Sequence, residues 1–257
     1  MTLKKILLSV AGYDPTSGAG VSLDSKVFQL LGFQGMTALT SITSQNTKGV
    51  RKVHCLPPDL LWDQYQTLRE DVTFSGIKVG MVGWGKNIEV IKRILADNPN
   101  IKKVVDPVFK SSSGAWLLEK DSIPGYISKI KGQASLLTPN LEEAGMISGI
   151  KIKSTEDMKK AAKNIFSLSS IPCFLKGGRF PGQMVNLLYD GNNFHSFKKE
   201  KIRKEVHGTG CFLSSSLLGY MVKGNSLEKA CLLATQLTHK AIKSAIKIGQ
   251  GQYIIAI

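Results

Sequence analysis

Lys5-Ile6-Leu7-Leu8-Ser9-Val10 runs into Ala11-Gly12-Tyr13-Asp14-Pro15-Thr16-Ser17-Gly18-Ala19-Gly20 near the start of the chain. A short apolar run that stops at a glycine reads as a buried strand, and the small and polar residues behind it read as a turn that begins a helix. Runs of the same kind recur at Gly76 to Val79, Lys103 to Val105, Ser135 to Leu137 and Pro172 to Leu175, each ending in Gly, Pro or Asp turn chemistry. Between them, Leu60 to Glu70, Ile88 to Leu95 and Met158 to Leu168 carry apolar residues at helical spacing, with Ser154 and Asp157 as N-cap and first-turn acid of the last. Strands alternating with helices predict an α/β fold, a mostly parallel sheet covered on both faces. Leu187 to Tyr189, Asp190-Gly191 and Phe194 to Phe197 predict an antiparallel hairpin near one edge. No Pro/Ser-rich linker interrupts the 257 residues, so one domain is expected. In such sheets ligands sit beyond the carboxyl ends of the strands, so the polar, glycine-rich pieces after each run are the candidate site.

Composition narrows the class. With 42% apolar and 21% charged residues the chain is an ordinary globular protein, which excludes disorder, collagen and coiled coil. Its longest apolar stretch, Leu213 to Met221, is interrupted by serines and is too short to span a bilayer, so no membrane partner is expected. Lys4 and Lys5 precede too short an apolar run for a signal peptide, which predicts a cytoplasmic protein. Cys55, Cys173, Cys211 and Cys231 lie far apart without metal spacing, so neither a disulfide framework nor a zinc site is expected. The 34 Lys+Arg against 19 Asp+Glu give a formal charge of +15, which raises the question of a nucleic-acid partner. The densest cluster, Lys198, Lys199, Lys201, Arg203 and Lys204, is broken by Glu200 and Glu205, and the 7% aromatic residues do not alternate with the cations, so nucleic acid is not the expected partner.

Three segments carry chemistry. Ala11 to Asp24 contains Gly18-Ala19-Gly20 without the continuation of a dinucleotide fingerprint and without G-K-[ST]; it is either a tight helix start or a loop that lets backbone approach a ligand, with Asp24 as acceptor for a small polar molecule. In Thr138-Pro139-Asn140-Leu141-Glu142-Glu143, Asn140 and Glu143 share a helical face, either as oxygen donors to Mg²⁺ or as ordinary capping. His207-Gly208-Thr209-Gly210-Cys211 opens an apolar, serine-lined helix whose unpaired amides make an anion site, where a cysteine is expected to have its pKa lowered; close packing of small residues is the other reading. A phosphate cradle, a Mg²⁺ candidate and a substrate-side glycine loop together suggest phosphoryl transfer from a nucleotide to a small-molecule acceptor.

These residues bear a family resemblance. In order along the chain, Ala11 to Asp24 resembles A-G-S-D-P-S-G-G-A-G-I-Q-A-D, Ser44 to Val50 resembles [AE/Q]-N-T-x-G-V, and Lys78 to Gly83 resembles K-x-G-M-L-G. Val105 to Val108 with Ser113-Gly114, Thr138 to Glu143, Leu175 to Gly178 and His207 to Cys211 resemble D-P-V with S-G, T-P-N-L-x-E, V-K-G-G and H-G-T-G-C. The pattern is that of the hydroxymethylpyrimidine/phosphomethylpyrimidine kinases of thiamine biosynthesis, in the ribokinase-like superfamily that also holds the pyridoxal kinases. It implies a three-layer α/β/α sandwich with a central, mostly parallel sheet, a homodimer, and ATP and Mg²⁺ as cofactors. It places Asp24 and Gln45 on the edge of an aminopyrimidine, Gly12 and Met81 in the ring pocket, and Asn140 and Glu143 about Mg²⁺ and the nucleotide phosphates. Asp106 and Lys176 fall near the same phosphates, Gly208, Thr209 and Gly210 form the anion hole, and Cys211 stands where the wider superfamily carries an aspartate base.

Tyr13 and Ser17 depart from the usual serine and glycine of the first loop, where a larger ring bears on the acceptor pocket. The activity implied is phosphorylation of 4-amino-5-hydroxymethyl-2-methylpyrimidine and of its monophosphate. The alternatives are a pyridoxal/pyridoxine kinase, whose acceptor is also a flat heteroaromatic ring with a hydroxymethyl arm, and a non-catalytic nucleic-acid or regulatory binder on the same scaffold.

Overall fold

The computed structural model describes residues 5–180 and 183–257, so Lys4 lies outside the described residues. The first half of the chain forms β1 (Ile6–Tyr13), α1 (Gly20–Leu30), β2 (Gln34–Asn46), β3 (Gly49–Cys55), α2 (Pro58–Asp71), β4 (Phe74–Val79), α3 (Asn87–Ala96), β5 (Lys102–Val105) and α4 (Ile123–Lys129). The second half adds β6 (Leu136–Leu137), α5 (Leu141–Ser148), α6 (Thr155–Ser169), β7 (Cys173–Phe180), β8 (Gln183–Tyr189), β9 (Phe194–Glu200), β10 (Val206–His207), α7 (Thr209–Val222), α8 (Leu227–Lys243) and β11 (Tyr253–Ile254). Nine strands make one sheet in the order β3-β2-β1-β4-β5-β6-β7-β8-β9. Pairing is parallel from β2 to β7; β3 pairs antiparallel with β2 at one edge, and β8 pairs antiparallel with both β7 and β9 at the other.

The apolar runs are continuous because both faces of the sheet are covered. Consecutive strand residues point to opposite sides, and Leu7/Leu8, Val104/Val105, Leu136/Leu137 and Phe174/Leu175 each split between two cores. One core joins them to Leu23, Phe28, Leu217 and Ala230 of α1, α7 and α8; the other joins them to Leu61, Ile91, Tyr126 and Ile165 of α2, α3, α4 and α6. The result is the expected three-layer α/β/α sandwich. Ser154 and Asp157 cap α6 reciprocally, as read from the sequence, and the Asp190-Gly191 hairpin joins β8 to β9 at the edge. The sequence pattern does not predict β2 and β3, which extend the sheet beyond β1.

Helix α7 is buried almost all round, the position expected of a helix with no polar face. Its serines have separate tasks: Ser214 donates to Asp106 at 3.3 Å and Ser215 to Asp24 at 2.7 Å, so an apolar helix holds two buried carboxylates. From β1 the chain moves to β2 on one side and later to β4 on the other, which makes the β1/β4 junction the switch point of the sheet. No helix among the described residues is long and apolar enough to cross a membrane.

Candidate active site

A cleft of about 990 Å³ opens beyond the carboxyl ends of the central strands. Gly12 and Tyr13 of β1, Gln45 of β2 and Met81 behind β4 line it on one side of the sheet order; Met184 and Asn186 of β8 and Thr238 of α8 line it on the other. Asp106, Asn140, Glu143, Lys176 and the Gly208–Cys211 segment lie between. Of the twelve residues predicted from sequence, Asp24 alone is absent from this wall.

The acceptor side is shaped by close backbone approach. Gly20 has φ 61° and begins α1, and a Cβ there would lie 2.2 Å from the Gly12 carbonyl oxygen. A Cβ on Gly12 would meet Ser41 Oγ at 2.7 Å and Met81 Sδ at 2.9 Å, so any side chain at this point displaces Ser41 or Met81. Met81 is packed, Tyr13 is exposed at the rim, and Ser17, in place of a glycine, takes φ 55°. Asp14 accepts from the backbone N–H and hydroxyl of Thr16, both at 2.8 Å, and faces His207 Nε2 at 2.9 Å. Burial alone would raise the Asp14 carboxyl; His207, Gln45 and Thr16 outweigh it and hold the group below the usual carboxylate range.

Two helices start over the middle of the cleft with opposite chemistry. Helix α5 is sealed by its own capping box: Asn140 Oδ1 accepts from the Glu143 N–H at 2.9 Å and Glu143 Oε2 accepts from the Asn140 N–H at 2.7 Å. Helix α7 has no side-chain cap, so its first amides face the cleft with the positive end of the helix dipole. Gly208 supplies the entry at φ 77°, where a Cβ would fall 1.7 Å from the Gly18 carbonyl oxygen; Gly210 lies against the end of Lys176, 3.1 Å from Nζ to the position of a Cβ. Both readings of this segment hold together: the small residues pack tightly and thereby leave the amides open.

Lys176 is ion-paired with Asp106, whose carboxylate also accepts from Thr138 at 3.0 Å and from Ser214. Glu143 is buried nearby; burial pushes its carboxyl up to about 8, the Lys176 ammonium opposes this and Asp106 adds to it. Lys176 therefore sits between two carboxylates, and the donor set of Asp106, Glu143 and the Asn140 amide suits a hard cation that keeps waters and phosphate oxygens in its shell. Among the described residues no cluster of three or more His, Cys, Asp or Glu makes a closed metal cage. The capping reading of Asn140 and Glu143 is realised; it engages the single side-chain oxygen of Asn140 and one of the two of Glu143.

Two expectations are corrected. Asp24 does not face the acceptor: it lies one turn into α1 on its buried face, fully enclosed, where it accepts from Ser9 at 2.6 Å and Ser215 and forms an ion pair with Lys78 at 2.8 Å. The Cys211 thiol is raised, not lowered, because desolvation exceeds the help of the Lys78 ammonium, and Asp24 and Asp106 push the same way as burial. Sequence reasoning missed Lys78, which lines the cleft although fully buried, and found no partner for His207. A lysine inside an otherwise apolar strand was the available signal for Lys78. Cys173 and Cys231 are buried free thiols as expected, whereas Cys55 is half-buried.

A three-layer sheet with an open helix N-terminus, a lysine-carboxylate pair and a ring-sized pocket along one cleft defines a small-molecule phosphotransferase of the ribokinase-like kind. The chain belongs to the phosphomethylpyrimidine kinase family, whose pattern matches residues 14–256. A hydroxymethylpyrimidine/phosphomethylpyrimidine kinase of Aquifex aeolicus is 36% identical over 97% of this chain and 99% of its own length. A phosphomethylpyrimidine kinase of Clostridium difficile superposes with TM-score 0.81 at 34% identity over 93% of this chain and 100% of the other. A pyridoxal kinase of Staphylococcus aureus, solved with pyridoxal, superposes with TM-score 0.91 at 31% identity over 99% and 93%, and the same enzyme has been solved with ADP.

Proposed function

We propose that this chain uses ATP to phosphorylate the hydroxymethyl group of 4-amino-5-hydroxymethyl-2-methylpyrimidine and then the resulting monophosphate. The observation that carries the reading is the uncapped start of α7 between a ring pocket and the Lys176–Asp106 pair, which gives a transferring phosphoryl group a place within reach of an acceptor. The ring lies against the wall that Gly12 and Met81 form together, with Gln45 at its edge. Its hydroxyl oxygen forms the new bond to the γ-phosphorus as the bond to the β-phosphate oxygen breaks, and the hydroxyl proton passes to Cys211 in its thiolate form, the minor form because burial raises the thiol; Cys211 then returns it to solvent. The amides of Gly208, Thr209, Gly210 and Cys211 take the charge on the transferred group, and Lys176 takes that on the leaving phosphate. Asp106, Asn140 and Glu143 would hold Mg²⁺, which when bound neutralises the phosphates.

The second reading, pyridoxal phosphorylation, is favoured by the size of the cleft, by Tyr13 at its rim and by the Staphylococcus aureus enzyme. Steady-state kinetics with both acceptors decide between them. The pyrimidine alcohol is expected to have the higher kcat/KM; a large preference for pyridoxal overturns the first reading. Tight, salt-sensitive duplex binding without turnover of either alcohol would overturn both.

A further inference from the structure

The hairpin of β2 and β3 reaches past the sheet that supports it. Strand β1 pairs with β2 only as far as Tyr13 opposite Ile42, whereas β2 and β3 stay paired out to Asn46 opposite Gly49. The outer part of the hairpin is therefore a two-stranded ribbon beyond the last pair with β1, and such a ribbon is marginal in water on its own. It carries part of the acceptor wall all the same. A register shift between Ser44 and Gln45 re-aims the strand where Gln45 and its cross-strand partner Val50 line the cleft.

The ribbon is held from far along the chain. At its base Thr43 Oγ1 donates to the Tyr13 carbonyl at 3.0 Å. At its tip the Gln252 N–H donates to the Thr47 carbonyl oxygen at 2.8 Å, and the Gly251 N–H donates to Thr47 Oγ1 at 3.1 Å. The fit leaves no room for a side chain: a Cβ on Gly251 would lie 1.9 Å from the Thr47 carbonyl oxygen, and one on Gly249 would lie 2.4 Å from Thr47 Oγ1. The same segment is anchored beside the anion hole. Ser112 Oγ donates to Gln252 Oε1 at 2.8 Å and lies 3.3 Å from Nδ1 of His207, and β11 places Ile254 opposite His207 in β10. Among the described residues the cleft wall includes none from 249 to 254, so this segment can serve the site only through Thr47 and His207.

We propose that residues 249–252 position the acceptor: by tying Thr47 to the entry of α7 they keep Gln45 and Val50 in place against the Gly208–Cys211 amides, so that a ring on one wall presents its hydroxyl to the other. This rests on the reading of that wall as the acceptor site. Gly251 is the residue on which the tie depends, because any side chain there must push the segment and the Thr47 backbone apart. Met184, Asn186 and Thr238 line the opposite side of the cleft, so a displaced ribbon alters the acceptor wall and leaves the nucleotide wall in place.

The test is Gly251→Ala in the full chain, read by steady-state kinetics with the pyrimidine alcohol and with pyridoxal, and by hydrogen exchange without substrate. The acceptor KM is expected to rise about tenfold while the nucleotide KM stays within about twofold of the wild type. Amides of residues 44–50 are expected to exchange faster while those of β1, β4 and β5 keep their protection. Should Gly251→Ala fail to fold, Thr47→Val removes the hydroxyl that accepts from Gly251 and keeps the backbone contact. It is expected to raise the acceptor KM about threefold, and Thr47→Ser, which retains the hydroxyl, to restore it. A fall in kcat alone, equal rises in both KM values, or an unchanged acceptor KM overturns the proposal. So does exchange in Gly251→Ala that is unaltered at residues 44–50 or faster throughout the sheet. Turnover of neither alcohol by the wild type overturns the proposed function instead, and the exchange of residues 44–50 then decides alone whether the segment holds the ribbon.

Discussion

Nε2 of His207 lies 2.9 Å from Oδ2 of Asp14, a contact between residues 193 apart in sequence that ties the acceptor loop to the entry of α7. The other face of the imidazole approaches Ser112 Oγ, 3.3 Å from Nδ1. Asp14→Asn and His207→Gln are each expected to lower stability by about 1–3 kcal/mol, because each removes one side of a charge-assisted pair between buried Asp14 and half-buried His207. The two losses should fall short of additivity in the double variant, as read by urea midpoints. The sign with pH follows from the depressed Asp14 carboxyl: its contribution is present above the ordinary carboxylate range and is lost as pH falls through its lowered value. Asp14→Asn should therefore lose less stability than the wild type on acidification; parallel losses would remove Asp14 from that account.

The two glycines of the α7 entry separate fold from chemistry. Gly208→Ala places a methyl 1.7 Å from the Gly18 carbonyl oxygen at a left-handed φ, and neither backbone can yield without moving the loop or the helix. A loss of about 2–4 kcal/mol with loss of turnover is expected from thermal unfolding and kinetics. Gly210→Ala meets only the flexible end of Lys176, at 3.1 Å. Its stability should change by less than about 1 kcal/mol, while kcat falls because Lys176 is displaced. Equal stability losses in both variants would contradict this division.

Glu143→Gln distinguishes metal ligand from cap. Glutamine at the third helical position still accepts the Asn140 amide, so the capping box survives and stability at pH 6 should hold within about 0.5 kcal/mol. The Mg²⁺ concentration for half-maximal rate should rise severalfold; an unchanged titration would leave Glu143 as a cap alone. In the metal-free protein the raised carboxyl carries a second signature. Its folded value lies above its unfolded one, so its contribution is full below the ordinary carboxylate range and is lost as pH rises towards about 8. The wild type should lose stability across that window and Glu143→Gln should not.

Most of the sheet was legible because parallel strands buried on both faces must be apolar throughout, and Leu7-Leu8, Val104-Val105 and Leu136-Leu137 announce themselves. Strand β2 was not, since Thr37, Thr40, Ser41, Thr43 and Ser44 make it look like a loop; in the structure Thr40 donates to the Met81 carbonyl and Thr43 to that of Tyr13, so its polarity serves the pocket. The motifs located the cleft, and Gly12, Met81, Lys176 and the Gly208–Cys211 segment all reach it. What they could not convey was direction. Asp24 is close to the site and turned away from it, and the thiol of Cys211 responds to burial more than to the helix end. Such facts depend on which face of α1 is inward and how deep α7 lies, neither of which is local in sequence.

The net charge of +15 finds a local use in the segment between β9 and β10. Residues 200–205 cross the cleft wall from the β8/α8 side towards Gly208, carrying Lys201, Arg203 and Lys204. Lys204 is pinned by the carbonyls of Lys243 at 2.8 Å and Ala245 at 3.4 Å. Lys201 and Arg203 are exposed, and both line the cleft. Exposed cations on a cleft wall raise anion capture at low salt and lose that effect as ionic strength approaches the screening regime. Lys201→Ala/Arg203→Ala is therefore expected to raise the nucleotide KM about three- to tenfold at low salt, an energy of roughly 0.7–1.4 kcal/mol. The gap to the wild type should close by 0.5 M salt, with kcat and the acceptor KM almost unchanged. A loss confined to kcat would place these cations in the reaction itself, and no change at any salt would return them to the solvated surface.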